Sequence, residues 1–201
     1  VGPDGGGMVE TLRTAGVRVE QMDTGGSATG HTVIQVNQAG QNCIIMYPGA
    51  NHELEREYID RVVAQFSPGD IVVLQNEVNE LAYIMEAAHA QGLRIAFNPS
   101  PIGPAIEACP LQYVSWFILN EIEGKALTGK ADAREILAAM AALYPHAAVV
   151  LTVGKDGALY KDKQQILRHG IYDVPVVDTT AAGDTFTGYF ISLTAAVTPP
   201  A

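Results

Sequence analysis

Apolar and polar positions follow two different rhythms along this chain, and the rhythm changes near residue 52. Residues 31–47 alternate with a period of two on both sides of a Gln38–Gln41 turn, which predicts a half-exposed β-hairpin. Apolar residues then recur at intervals of four, which predicts one face of a helix. That stripe consists of Leu54, Tyr58, Val62 and Phe66.

Four short apolar runs, separated by helical patterns, predict a doubly wound α/β layer. The runs are 71–74, 93–97, 114–119 and 148–153. Continuous apolar runs of this length are typical of strands buried on both faces of a parallel sheet. The two clearest helical faces between them are Leu81, Ile84, Met85 and Ala88, and Ile136, Leu137, Met140 and Leu143. A second hairpin is predicted over 158–167, and a final helix from Ala182.

The two ends of the sequence predict an incomplete domain. A helical pattern over 8–16 has no strand before it, and the chain stops one helix after the 178–184 loop. Because an α/β domain rarely begins and ends in this way, we expect residues 1–201 to be a single α/β domain that lacks N-terminal and C-terminal parts.

The net charge and the lengths of the apolar runs limit the partners that we expect, and the two cysteines indicate the cellular compartment. The 12 basic and 22 acidic residues give a formal net charge of −10, which argues against a nucleic-acid partner. No apolar run approaches the roughly 20 residues of a membrane helix, so no membrane partner is expected. Cys43 and Cys109 lie in apolar stretches, and we interpret them as reduced core residues of a cytoplasmic protein.

Polar or glycine residues follow each of these four apolar runs and also a fifth, shorter run at 174–177. Ligands bind at the carboxyl ends of parallel strands, so we expect these segments to share one rim of the sheet. They are 75–77, 98–101, 120–123, 154–157 and 178–184. Helix capping alone accounts for some of them. In particular, Asn120 and Glu123 have the spacing of a capping box.

The segment 178–184, Asp-Thr-Thr-Ala-Ala-Gly-Asp, carries the most chemical information. Small residues between an apolar run and a helical pattern predict a helix N-terminus with free amides and a positive dipole end. Asp184 is poorly placed there for binding phosphate alone, because like charges repel. It suits phosphoryl transfer, in which the amides hold the developing charge and the carboxylate accepts the proton of the attacking hydroxyl. The alternative is a first-turn acid stabilised by the dipole.

This segment, continued through Thr185-Phe186, resembles the C-terminal signature of the ribokinase-like (phosphofructokinase B) carbohydrate kinases. The Asn120-x-x-Glu123 pair is similar to the family's Asn-x-x-Glu motif, and 152–157 resembles its Thr-x-Gly-x-x-Gly nucleotide loop. Weaker matches at Thr29-Gly30, Gly49–Asn51 and Gln75-x-Glu77, and the Ala181-Ala182-Gly183-Asp184 form of the signature, favour the ribokinase branch. The motifs occur in the expected order over nearly the whole chain.

The resemblance implies a three-layer α/β/α fold with a mostly parallel sheet and part of a small β lid, to which residues 29–50 contribute. In the family this lid closes over the sugar and often forms a homodimer contact. The family's aspartate-bearing first strand, its glycine-rich sugar loop and its adenine-closing last segment find no match here. We therefore expect residues 1–201 alone to be inactive or nearly so.

The resemblance also implies roles for individual residues. The catalytic set is Ala181, Ala182, Gly183 and Asp184, with Asp184 as general base and the amides of Ala182, Gly183 and Asp184 as the anion hole. The residues that match the family's ATP-binding positions are Asn120, Glu123, Thr152, Gly154 and Gly157. Glu123 organises magnesium through water. Asp178 and Thr180 match positions that bind a monovalent cation, usually potassium, and Glu77 holds a sugar hydroxyl.

The implied function is ATP-dependent phosphorylation of a sugar hydroxyl, with D-ribose as the first candidate and ribose 5-phosphate as its product. A related kinase acting on fructose, a sugar acid or a nucleoside is the near alternative. A non-catalytic sugar-binding or nucleotide-binding homologue is the alternative from another class, although such a protein has no need of the base Asp184.

Overall fold

The computed structural model describes residues 1–36, 42–175 and 181–197. The strands in this part of the chain are β1 His31–Val36, β2 Asn42–Tyr47, β3 Ile71–Gln75, β4 Arg94–Asn98, β5 Val114–Asn120, β6 Ala148–Thr152, β7 Ala158–Lys161 and β8 Ile166–His169. The α-helices are α1 Gly6–Thr14, α2 Arg56–Val63, α3 Leu81–Ala90, α4 Glu121–Thr128, α5 Ala133–Leu143 and α6 Ala182–Val197.

Strands β3 to β8 form one sheet in sequential order, and β1 and β2 form a separate hairpin. Strands β3 to β6 are parallel, whereas β7 and β8 return antiparallel. The register pairs Gln75 with Asn98 and Asn120 with Thr152, so the carboxyl ends of the four parallel strands meet at one rim. The prediction of a shared rim is confirmed for these four strands.

One face of the sheet is packed against α3 and α5. Ile95, Phe97, Phe117, Leu119, Val149 and Leu151 point to this face and belong to one buried apolar cluster. The same cluster contains Leu81, Ile84, Met85 and Ala88 of α3, and Ile136, Leu137 and Met140 of α5. The helical faces predicted from sequence are confirmed at these positions, whereas Leu143 at the end of α5 is exposed.

Helix α6 lies on the opposite face, beside β7. Side chains alternate along a strand, so Val150 points away from the side that Val149 and Leu151 occupy. Tyr160 lies directly across from Val150 on β7, and its ring is 6.3 Å from the ring of Phe190 in α6. The sheet therefore lies between two helical layers, and the predicted α/β/α arrangement is confirmed.

Burial of β3 differs from the prediction. We expected its apolar run to be covered on both faces, but Val73 is 49% exposed and Leu74 is the one residue of this strand that is buried. The reason is position, because β3 forms an edge of the sheet that the described residues build. An apolar sequence predicts a strand without specifying whether both of its faces are covered.

The β1–β2 hairpin is also more exposed than predicted. Val33, Ile34, Ile44 and Ile45 are each close to half exposed, so both faces of the hairpin meet solvent. Cys43 lies on this hairpin and is exposed, which corrects its interpretation as a core residue; Cys109 is buried as predicted. The predicted turn at Gln38–Gln41 lies outside the described residues.

Two other boundaries differ from the sequence interpretation. Helix α2 is shorter than the apolar stripe that predicted it, and Phe66 lies beyond the helix and is exposed. Helix α6 begins at Ala182 as predicted. In the apolar run expected to lead into it, Val174 and Pro175 are not in a strand, and residues 176–180 lie outside the described part.

Candidate active site

Residues 181–185, at the N-terminus of α6, are exposed in the part of the chain that the structure describes. Ala181 precedes the helix with a φ of 57°, and its carbonyl accepts the first helical hydrogen bond from the amide of Thr185, at 2.9 Å. The amides of Ala182, Gly183 and Asp184 therefore precede the first intrahelical bond of the ladder. A Cβ placed on Gly183 would meet nothing within 4 Å, so this turn is accessible from outside. Its dipole and free donors favour an anionic ligand.

The carboxylate of Asp184 lies exposed on this first turn and contacts the end of β3. Its Oδ1 accepts a hydrogen bond of 3.1 Å from Nε2 of Gln75, although the two residues are 109 positions apart. Gln75 is the last residue of β3. The fold thus brings the 75–77 segment and the 181–184 segment to the same place on the rim.

The loops after β3 and β4 are bonded to each other. The amide of Asn76 donates to the carbonyl of Ser100 at 2.9 Å, and its Nδ2 donates to the carbonyl of Pro101 at 2.6 Å. The Ser100–Pro101 peptide bond is cis. Glu77, the candidate sugar ligand, follows immediately and is exposed. A polar side chain anchored this way fixes the backbone from which Glu77 projects.

Asn120 and Glu123 form a complete capping box at the N-terminus of α4. Oδ1 of Asn120 accepts from the amides of Ile122 and Glu123, at 2.9 and 3.0 Å. The two oxygens of Glu123 accept from the backbone amide of Asn120 at 2.8 Å and from its Nδ2 at 2.9 Å. The capping box that the spacing predicted is therefore present, and its hydrogen bonds occupy both carboxylate oxygens of Glu123.

Burial dominates the electrostatics of Glu123. Its side chain is 6% exposed, and this burial raises the pKa of the carboxyl above its ordinary value. Hydrogen bonds from Asn120 and from the Ser100 side chain oppose the shift, because they stabilise the charged form. Glu123 thus connects the cap of α4 to the loop after β4, and through Asn76 to the loop after β3.

The loop after β6 adjoins this group. Thr152 pairs with Asn120 across the two strands, and its hydroxyl donates to the carbonyl of Leu119 at 3.4 Å. Gly154 has a φ of 52° and open space beside it. Gly157 has a φ of 92°, and a Cβ there would lie 1.9 Å from the carbonyl oxygen of His169. Packing against β8 therefore explains Gly157, whereas Gly154 leaves room for a ligand.

The candidate residues fall into two groups. Contacts connect Asp184, the 75–77 segment, the Asn120–Glu123 pair and Thr152 around one rim. Asp178 and Thr180, the candidate monovalent-cation ligands, lie outside the described residues. Within the described ranges, no group of three or more His, Cys, Asp and Glu side chains is placed to hold a metal ion. None of the helices described there has the length and apolar content to cross a bilayer.

Sequence reasoning placed Gln75, Asn76 and Ser100 on the rim but gave them no contacts. Gln75 reaches Asp184, Asn76 bonds the second loop, and Ser100 reaches Glu123. Each contact joins segments that are far apart in the sequence. No spacing rule within one element relates such positions, so the polar strand ends were the signal that sequence could supply.

Comparison with known proteins agrees with this arrangement. Residues 1–198 match the pfkB family carbohydrate kinases. The chain is 35% identical over 175 residues to the ribokinase of Staphylococcus aureus, with 84% of this chain and 57% of that protein covered. It is 32% identical over 173 residues to the deoxyribokinase of Salmonella typhi, with 82% of this chain and 56% of that protein covered.

Solved structures share the fold. The Cryptococcus neoformans ribokinase in complex with ADP superposes with a TM-score of 0.74 at 29% identity, covering 96% of this chain and 68% of that one. The chain spans 57% and 56% of the lengths of the two relatives named above. The signature at 181–184, the rim that the parallel strands build and the family match over 1–198 agree. This chain belongs to the pfkB family of carbohydrate kinases.

Proposed function

We propose that the protein is a sugar kinase that transfers the γ-phosphoryl group of ATP to a sugar hydroxyl, with D-ribose as substrate and ribose 5-phosphate as product. The observation that carries this proposal is the exposed Asp184 in the open first turn of α6, within hydrogen-bond reach of Gln75. A base and an anion-binding turn at one helix end provide the two functions that phosphoryl transfer requires.

In this mechanism the carboxylate of Asp184 accepts the proton of the attacking sugar hydroxyl. The amides of Ala182, Gly183 and Asp184 would hold the negative charge of the phosphoryl group that bound ATP supplies. The new bond would join the hydroxyl oxygen to the γ-phosphorus, the bond from that phosphorus to the oxygen of ADP would break, and ADP would leave. Glu77, exposed two residues after Gln75, accepts a hydrogen bond from another hydroxyl of the sugar and orients it. Positioning of this kind, together with charge stabilisation, accounts for most of the catalysis in phosphoryl transfer.

The nucleotide and its magnesium are assigned to the neighbouring part of the rim. Thr152 and Gly154 border the open loop proposed for ATP, and Gly157 holds that loop against β8. Both oxygens of Glu123 are already bonded to Asn120, so direct metal coordination would break the cap of α4. We therefore assign Glu123 and Asn120 a role toward Mg²⁺ through water, and we assign Asp178 and Thr180 the binding of K⁺.

Replacement of Asp184 by Asn in the full-length protein tests the base. The expected result is a fall in kcat of about 10²–10⁴-fold, with the melting temperature nearly unchanged. Glu135→Gln is the matched control, since Glu135 is also an exposed first-turn acid, on α5. If Asp184 serves only the helix dipole, both variants lose a similar small amount of stability and neither loses activity.

The sugar is tested with a panel of ribose, deoxyribose, fructose, a sugar acid and adenosine. A kcat/KM highest on ribose is expected. Preference for deoxyribose, as the name of the Salmonella relative states for that protein, would replace the substrate and leave the kinase assignment intact. The K⁺ site is tested by rates in K⁺ and Na⁺ at equal ionic strength. Equal rates would reject it.

We also propose that the protein is a homodimer through the β1–β2 hairpin. Val33 and Ile45 face one another across the two strands, as do Ile34 and Ile44, and all four are about half exposed. Apolar exposure on both faces of a small hairpin favours a covering partner. Replacement of Ile34 and Ile45 by Glu should convert the dimer to a monomer in sedimentation velocity, and an unchanged mass would reject this interface.

A further inference from the structure

We propose that Gln75 is a positioning residue for the base: its side-chain amide holds one carboxylate oxygen of Asp184 and leaves the other for the substrate hydroxyl. This inference rests on the proposed function. The contact that carries it is the 3.1 Å hydrogen bond from Nε2 of Gln75 to Oδ1 of Asp184.

The donor is held by its own strand. Gln75 is half-buried at the last position of β3, where it pairs with Asn98 of β4. The next residue, Asn76, is bonded through its backbone to Ser100 and through its side chain to Pro101. The backbone on both sides of the Gln75 side chain is therefore fixed to the second parallel strand and its loop.

The acceptor lies on a less restrained element. Asp184 is exposed on the first turn of α6, a helix whose side-chain contacts to the sheet include the Tyr160–Phe190 ring contact two turns further on. An exposed carboxylate on a helix samples several rotamers. A donor from a fixed strand selects one of them, and it also sets the position of the α6 N-terminus relative to the rim.

The chemistry of the donor suits a general base. A glutamine amide is neutral and cannot lose or gain a proton in the working pH range, so it orients the carboxylate without forming an ion pair. A lysine or arginine at the same place would stabilise the charged carboxylate far more and would weaken it as a proton acceptor. Oδ1 is engaged by Gln75, and Oδ2 accepts no hydrogen bond from the residues that the structure describes, so we assign Oδ2 to the proton of the sugar hydroxyl.

The test uses Gln75→Met in the full-length protein, because Met has nearly the same length and volume but no donor. We expect kcat to fall about 10- to 100-fold, the cost of a displaced catalytic group, with the KM for ATP within about twofold of wild type. Gln75→Glu should lower kcat further, because a second carboxylate would then lie beside that of Asp184 and repel it. Gln91→Met is the matched control, since Gln91 also donates its Nε2 to an acceptor, the carbonyl of Phe66, away from the rim.

The double variant Gln75→Met with Asp184→Asn separates positioning from other roles. If Gln75 acts through Asp184, its replacement causes no further loss in the Asp184→Asn background. Losses that multiply would show that Gln75 serves the sugar or the fold directly, and full activity of Gln75→Met would also overturn the inference. Full activity of Asp184→Asn would instead reject the proposed base itself, so the two failures are distinguishable.

A second measurement does not depend on turnover. In ¹⁵N-resolved spectra of the protein, the side-chain amide resonances of Gln75 should shift on Asp184→Asn, while those of Gln91 stay in place. Unmoved Gln75 resonances would contradict the hydrogen bond, whatever the kinetics of the variants.

Discussion

Two helices, α4 and α6, begin at the same rim of the sheet, and their N-termini are finished in opposite ways. At α4, Asn120 and Glu123 close the helix end with a complete capping box, and the Glu123 side chain is buried. At α6, a Cβ on Gly183 would meet nothing within 4 Å, and Asp184 is exposed. The α4 end is capped by its own side chains, whereas the first turn of α6 is the place where we propose that an anionic ligand binds.

The two family motifs therefore differ in how many of their polar atoms are already bonded within the protein. The Asn-x-x-Glu pair is engaged within the protein, where it caps α4 and reaches the loop of Ser100. The Ala-Ala-Gly-Asp turn is less engaged among the residues that the structure describes, where Gln75 donates a side-chain hydrogen bond to Asp184. We therefore expect substitutions at α4 to cost mostly stability and substitutions at α6 to cost mostly activity.

The largest stability effect is expected from Asn120→Ala. This change removes an N-cap and also removes the side-chain donor to the buried Glu123, so we expect a loss of about 2–3 kcal/mol. Asp132→Ala is the matched control, because Asp132 caps α5 in the same way but supports no buried carboxylate. It should cost about 1 kcal/mol. Urea denaturation of both variants measures the difference, and equal losses would mean that the Asn120–Glu123 contact adds nothing.

Glycine-to-alanine changes in the two helices provide a second contrast. A Cβ on Gly124 of α4 would lie 2.5 Å from Cγ2 of Ile136 and 3.0 Å from Cδ1 of Leu119, so Gly124→Ala should cost about 1–3 kcal/mol. Gly183→Ala meets open space and should leave stability unchanged or slightly higher. Thermal melts of the two variants test this. A destabilised Gly183→Ala would show that the α6 turn is packed after all.

The pH dependence of stability should carry the signature of Glu123. Because its pKa is raised in the folded protein above the ordinary 4.5, the folded state holds this proton more tightly than the unfolded state. The contribution of Glu123 to stability is therefore fully present below pH 4.5 and is lost as pH rises through the raised pKa. The side chain of the Glu123→Gln variant cannot titrate. The stability of this variant relative to wild type should therefore improve as the pH rises through the pKa of Glu123. A pH-independent difference would contradict the assignment.

The smallest effect is expected at Ala181. Its φ of 57° lies in the left-handed region, which glycine adopts without a steric penalty. Ala181→Gly should raise stability by up to about 1 kcal/mol, after the greater entropy of glycine in the unfolded chain is subtracted. Ala182→Gly, one residue into the helix, should lower stability instead. If chemical denaturation shows that both substitutions change the free energy of unfolding in the same direction, the left-handed conformation at 181 is ruled out.

Local patterns predicted most of the secondary structure. The buried faces of α3 and α5 follow from a period near 3.6, and the strands from 71, 93, 114 and 148 follow from short apolar runs. The capping-box spacing at 120–123 predicted a contact that the structure contains. These inferences succeed because backbone hydrogen bonding and side-chain burial within one element depend on residues at most a few positions apart.

The candidate site was likewise predicted only in part from the sequence. The Ala181–Asp184 signature, the Asn120–Glu123 pair and the polar strand ends were visible in the sequence, and their common rim follows from parallel strands. The sequence did not indicate that Glu123 has both oxygens engaged or that Val73 is exposed at a sheet edge. It also could not pair Gln75 with Asp184.

What the sequence determined by itself is the set of elements, the order of motifs and the chemical groups available at each strand end. Tertiary structure alone decided which of those groups meet. Gln75 and Asp184 are separated by 109 residues, and their contact exists because β3 ends at the rim where α6 begins. The physical reason is that helix and strand formation depend on neighbours in the chain, whereas a side-chain contact across the rim depends on how several elements pack on one sheet.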